Sequence, residues 1–137
     1  MLKLVLDTNL YISGILYHGI VKNIFDLVNE DKLYLLVSTD LRLEVFRKFK
    51  EFTASTSSYK ELALFFEDKG ISIVPNVKVS VCRDPEDNFI LELAETARAD
   101  YIVTRDKDLL DMKKWRSTSI VKPENLLPIL RKMRLIS

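Results

Sequence analysis

The chain has 137 residues, 47% of them hydrophobic and 30% charged, a size and balance suited to one folded domain spanning 1–137 with its own core. Its single cysteine, Cys82, excludes an internal disulfide, and its single histidine, His18, excludes zinc sites built on two or more histidines. The net charge of +1 argues on its face against a polyanion partner, yet it averages segments of −2 (1–40), +3 (41–60), −5 (61–97) and +5 (98–137). No apolar run approaches the roughly 20 residues of a membrane helix. The amino terminus turns acidic at Asp7, too early for a signal peptide. Together with the lone thiol, this sets the expectation of a cytoplasmic protein with no membrane contact.

In chain order, the apolar run Leu2–Leu6 reads as a first strand, ended by Asp7. Ile20, Ile24, Leu27 and Val28 form a helical stripe, and Leu33–Val37 reads as a second strand. Ser38 or Thr39 is placed to cap the next helix, whose stripe is Leu41, Val45, Phe46 and Phe49. Thr53–Ser58 is a short uncharged loop before a helix carrying Leu62, Phe65 and Phe66, which Gly70 ends as a C-cap. Ile71–Val74 reads as a third strand. Ile90, Leu91, Leu93, Ala94 and Ala97 mark a helix, Tyr101–Val103 and Ser119–Val121 two more strands, and Leu126, Leu127, Ile129 and Leu130 a short last helix. A basic tail is expected from about residue 131. Continuous apolar runs alternating with amphipathic helices predict an α/β protein, a three-layer α/β/α sandwich around a mostly parallel sheet of about five strands.

In such sheets ligands bind beyond the carboxyl ends of the strands. Asp7-Thr8-Asn9 follows the first strand, and Thr104-Arg105-Asp106-Lys107-Asp108 follows the fourth. Asp84-Pro85-Glu86-Asp87-Asn88 opens a helix, and Glu44 flanks the apolar stripe of another. Taken singly, each acid is explained as a turn residue, a helix cap or a half-exposed helix acid. Taken together, several acids at one sheet edge would repel one another unless a cation joined them, and clustered oxygen ligands select hard ions such as Mg²⁺ or Mn²⁺.

These ordered acids, with Phe89-Ile-Leu-Glu-Leu-Ala94 and Ala99-Asp-Tyr-Ile-Val-Thr104, resemble the PIN-domain family, in particular VapC-type toxins of prokaryotic toxin–antitoxin systems. The resemblance runs from residue 3 to about residue 130 and implies a PIN-like fold and a Mg²⁺- or Mn²⁺-dependent endoribonuclease. Asp7, Glu44, Asp87 and Asp106 match the family's catalytic and metal-binding quartet, and Asn9 and Thr104 its accessory polar positions. Asp84 competes with Asp87 for the third place and Asp108 with Asp106 for the fourth; Asp108 is alternatively the cap of a following short helix. The resemblance also implies an RNA substrate, a small antitoxin partner and self-association as a homodimer. Arg42, Lys48, Arg105 and Lys107 are candidates to contact RNA phosphates, and Trp115 to stack on a base, with solvated-face and packing roles the simpler alternatives.

Two rival readings come from other classes. Receiver and haloacid-dehalogenase domains also set Asp after strand one, but the dehalogenase pattern wants a second acid where Asn9 stands, and neither employs Glu44. A binding or regulatory module that keeps the acids without catalysis is the second rival.

Overall fold

The computed structural model describes residues 1–136. Its elements are β1 (Lys3–Leu6), α1 (Thr8–Leu16), α2 (Ile20–Asn29), β2 (Tyr34–Val37), α3 (Thr39–Phe52), α4 (Thr56–Lys69) and β3 (Gly70–Ser72). They continue with α5 (Pro85–Ala97), β4 (Tyr101–Val103), α6 (Lys107–Met112), β5 (Lys114–Trp115), β6 (Thr118–Val121) and α7 (Pro123–Lys132). The sheet order is β3-β2-β1-β4-β6-β5. All pairings are parallel except β5 with β6.

The central strands are apolar because both faces are covered: Leu4, Val5, Leu6, Leu35, Val37, Ile102 and Val103 are fully buried. The chain steps outward from β1 to β2 to β3, then crosses back to lay β4 on the other side of β1. Right-handed crossovers therefore put the α1–α4 connections on one face and α5 on the other, giving the three layers. Contacts agree: α1 packs on α2, α3 and α4, while α5 lies along β1, β2 and β4. The reversal of strand order makes the gap between the carboxyl ends of β1 and β4 the topological switch point.

Close packing on the α1 side depends on Gly14. A Cβ there would sit 2.5 Å from the Phe25 ring, which is itself stacked on Phe65 with centroids 4.4 Å apart.

The sheet has six strands, one more than expected. The addition, β5, is two residues long and pairs only with β6, so no periodicity could announce it. The third strand starts at Gly70 and stops at Ser72, and its exposed Ile71 and Ser72 reflect an edge position with an open side. Helix α1 was not legible as a stripe: Leu10, Tyr11, Ile12 and Gly14 are all buried, so its sequence lacks a polar face. The loop before α4 is shorter than 53–58, since Ser55 caps a helix that already begins at Thr56. The expected tail is helical to Lys132, and Leu135 and Ile136 pack back on the core.

Candidate active site

Of the helices that begin at the carboxyl edge of the sheet, α1, α5 and α6 are each capped by an aspartate. Asp7 Oδ1 accepts the Asn9 amide at 2.7 Å, Asp84 Oδ1 the Glu86 amide at 3.0 Å, and Asp106 Oδ1 the Asp108 amide at 2.9 Å. The capping explanation that each acid admits singly is therefore correct. It is also incomplete, because the three caps meet at one cleft.

Asp7 is pinned on every side. Its amide donates to the Val103 carbonyl at 3.1 Å, extending the β1–β4 ladder beyond Leu6. Its Oδ2 accepts a hydrogen bond from Thr104 Oγ1, and that same hydroxyl accepts the Asp106 amide at 2.9 Å. The fully buried Thr104 thus ties the ends of the two strands and orients two acids. Asp87, in the first turn of α5, is 6% exposed and faces Asp106.

The cleft holds about 90 Å³ and is lined by Asp7, Thr8, Asn9, Lys48, Asp84, Glu86, Asp87, Ile90 and Asp106. Its electrostatics are those of crowded carboxylates. Burial, with Asp106 adding repulsion, pushes the Asp7 carboxyl up against the opposing pull of Thr104 and the Asn9 amide. Burial raises Asp87 to about 7, with Asp106, Asp84 and Asp7 contributing after it. Lys48 is the one cation in the lining, and its ammonium is taken by Glu86 at 2.8 Å.

Among the described residues, no three Asp, Glu, His or Cys side chains already form a metal-holding group. The donor set nonetheless fits a hard divalent ion that keeps part of its water shell: oxygen donors only, more of them than neighbouring cations neutralise, and room for a few waters at about 30 Å³ each.

The other expected residues fall elsewhere. Glu44 is not in the lining; Arg47 forks onto its carboxylate and holds the acid below its usual range. The same arginine reaches Glu86 at 3.1 Å, so Glu44 stands beside the cleft in a network joining α3 to α5. Asp108 is not the cap of α6, which is Asp106; Asp108 instead receives both 2.8 Å bonds of the Arg83 guanidinium. Of the four candidate RNA-contacting cations only Lys48 reaches the cleft. Arg42 bonds Ser72 Oγ at 2.6 Å and lies over the Phe66 ring, Arg105 pairs with Glu124, and Lys107 pairs with Asp111. Trp115 takes the packing role: it is half-buried in the β5–β6 hairpin, whose turn lies at the amino end of β6, away from the acids. His18 is exposed in the turn after α1. Glu86 is the lining acid that sequence reasoning passed over; its signal was its place in the same first helical turn as Asp87.

Comparison with known proteins places this geometry. A family model described as PIN domain matches residues 3–108, from β1 into α6 and across Asp7, Glu44, Asp84, Glu86, Asp87, Asp106 and Asp108. The chain belongs to the PIN-domain family. PIN domains are generally nucleases that use divalent metal ions. The chain is 30% identical over 118 residues to the uncharacterized protein MJ1680 of Methanocaldococcus jannaschii, covering 82% of this chain and 76% of that one. Its fold is similar to that of a chain in the crystal structure of VapBC2 from Rickettsia felis bound to a DNA fragment from their promoter. The TM-score is 0.63 at 15% identity, over 87% of this chain and 97% of the other. As a PIN domain the chain is neither a receiver nor a dehalogenase.

Proposed function

We propose that this PIN domain is a Mg²⁺- or Mn²⁺-dependent endoribonuclease and the toxin component of a toxin–antitoxin pair, acting in the cytoplasm. The observation that carries the reading is the convergence of Asp7, Asp84, Asp87 and Asp106 on one cleft at the switch point, with one lysine against them. Asp7, Asp87 and Asp106 would hold the ion directly, and Asp84 and Glu44 would act through water or neighbouring side chains. The bound cation would supply Lewis acidity and a water acidic enough to attack phosphorus.

The chain's own residues do the rest. Thr104 and the Asn9 amide fix the rotamer of Asp7, and the Asp108 amide that of Asp106, so the donors sit on rigid strand ends. Asn9 borders the cleft where a phosphate enters. Lys48, held by Glu86 at the rim, supplies positive charge to a phosphate oxygen. The VapBC2 likeness in fold supports a small antitoxin as partner, and self-association is proposed from the family resemblance.

The test is incubation with RNA in Mg²⁺ or Mn²⁺, with and without EDTA, followed by end-mapping. Discrete metal-dependent cuts support the reading, and intact RNA in every condition overturns it. A second reading, a non-catalytic PIN module, is favoured by the engagement of Glu44 with Arg47. Absence of any Mn²⁺-dependent rise in melting temperature would select it.

A further inference from the structure

Between β3 and α5, residues 73–84 belong to no helix or strand. Backbone donors in such a segment need partners outside any ladder. Three find them on one face of α5. The Cys82 amide donates to Asn88 Oδ1 at 3.0 Å, the Val79 amide to Glu92 Oε2 at 2.8 Å, and the Asn76 amide to Thr96 Oγ1 at 3.1 Å. The Thr96 hydroxyl returns a bond to Asn76 Oδ1 at 3.1 Å.

The acceptors are spaced four residues apart and so stack along a single helix face. The donors are spaced three apart and run the opposite way. Eight helical residues advance about 12 Å, whereas six fully extended residues would span about 20 Å. The segment is therefore a puckered strap whose path is set by where the rail of acceptors meets it. Glu92 is the central rung, and the residue is only 4% exposed. A buried carboxylate is costly, and this one is spent on a backbone amide.

The strap delivers the acid wall of the cleft. Directly after Cys82, Arg83 forks onto Asp108 at the start of α6, and Asp84 caps α5 and lines the cleft. The strap is thus held to α5 by the rail and to α6 by Arg83, and Asp84 follows directly after those anchors.

We propose that Asn88, Glu92 and Thr96 form a strap-holding rail that registers Asp84 against Asp87 and Asp106, with Glu92 as a positioning residue of the cleft. The proposal rests on the reading of that cleft as a metal centre. Glu92 touches neither metal nor substrate; it acts through the strap.

The test uses the full chain and three variants. Glu92→Leu keeps bulk and removes the acceptor, Glu92→Gln keeps an acceptor oxygen, and Thr96→Val removes the far rung. Amide hydrogen exchange followed by NMR reads the strap at Val79 and the Asp84 cap at Glu86; Mn²⁺ titration reads the cleft. In Glu92→Leu, exchange at Val79 and at Glu86 should each quicken at least tenfold, and Mn²⁺ affinity should fall at least threefold. Glu92→Gln should restore all three to within twofold of the wild type. Should Glu92→Leu fail to fold, Thr96→Val gives the same pattern at smaller amplitude, with Asn76 in place of Val79. Faster exchange at the strap with Glu86 and Mn²⁺ affinity unchanged overturns the positioning role. A wild type that does not bind Mn²⁺ overturns the metal-centre reading, and the rail is then decided by the Glu86 amide alone.

Discussion

The two ends of the sheet treat charge in opposite ways. At the amino end buried and half-buried polar groups are closed by partners in four places. The Lys3 amide donates to Asp100 at 2.8 Å, Lys3 Nζ to the Ala97 carbonyl at 2.8 Å, Thr118 Oγ1 to the Ala99 carbonyl at 2.7 Å, and Arg116 pairs with Glu95. At the carboxyl end the cleft lining sets four aspartates and Glu86 against one lysine. The first arrangement is what folding alone selects, since unpaired buried charge destabilises. The second leaves carboxyl groups pushed upward by burial and by one another, the condition expected at a functional site.

The largest effect that could break this contrast is expected at Asp7. Asp7→Asn should lower RNA cleavage by about a thousandfold or more, while thermal melting shows stability unchanged or higher. Asparagine still caps α1, and a buried carboxylate that resists ionisation is gone. Wild-type cleavage by this variant would remove Asp7 from the chemistry.

Thr104→Val comes next. It deletes the donor to Asp7 and the acceptor for the Asp106 amide, so denaturant unfolding should show a loss of about 1–3 kcal/mol. Cleavage should fall by about 10- to 100-fold, consistent with misplaced ligands.

The pH dependence sharpens the comparison further. Asp87 binds a proton more tightly folded, near 7, than its ordinary value of 3.8. Between those values the native state carries the extra proton, so without metal the contribution of Asp87 to stability is greatest in acid and falls as pH rises toward 7. The loss should be on the order of 1–3 kcal/mol. Mn²⁺ should reverse it through binding to the native state. Its effect on melting temperature should be larger at pH 7.5 than at pH 5, where protons compete for the same oxygens. A metal shift independent of pH would detach Asp87 from the site.

The smallest effect belongs to the amino end. Arg116→Ala breaks a surface pair to Glu95 and a stack 4.7 Å over Trp115, and should cost less than about 1 kcal/mol. Cleavage should stay within twofold. A large loss of activity there would show that the two ends are coupled.

Legibility in the sequence followed physical scale. Helices with a polar side, such as α2 and α3, announced themselves by periodicity, and the buried strands by their apolar runs. Helix α1 and β5 did not, the one being apolar nearly all round and the other formed only by its hairpin partner. Asp7 and Asp106 were legible because strand ends fix where the next residue goes. Glu44 was harder: its spacing put it beside the core, but only the fold reveals that it pairs with Arg47 outside the cleft lining. The expectation that Asp108 caps the following helix failed because the extended backbone falls at residue 106, which spacing does not encode.

The acid caps carry one more consequence. Asp7, Asp84 and Asp106 each start a helix with one oxygen while lining the cleft, and the second oxygen of Asp7 takes the Thr104 hydroxyl as well. The code for folding and the code for chemistry are thus written in the same three letters. Drift at these positions is penalised twice, and alanine scanning would confound the penalties. Asparagine, which keeps the cap and drops the charge, is the substitution that reads the two apart.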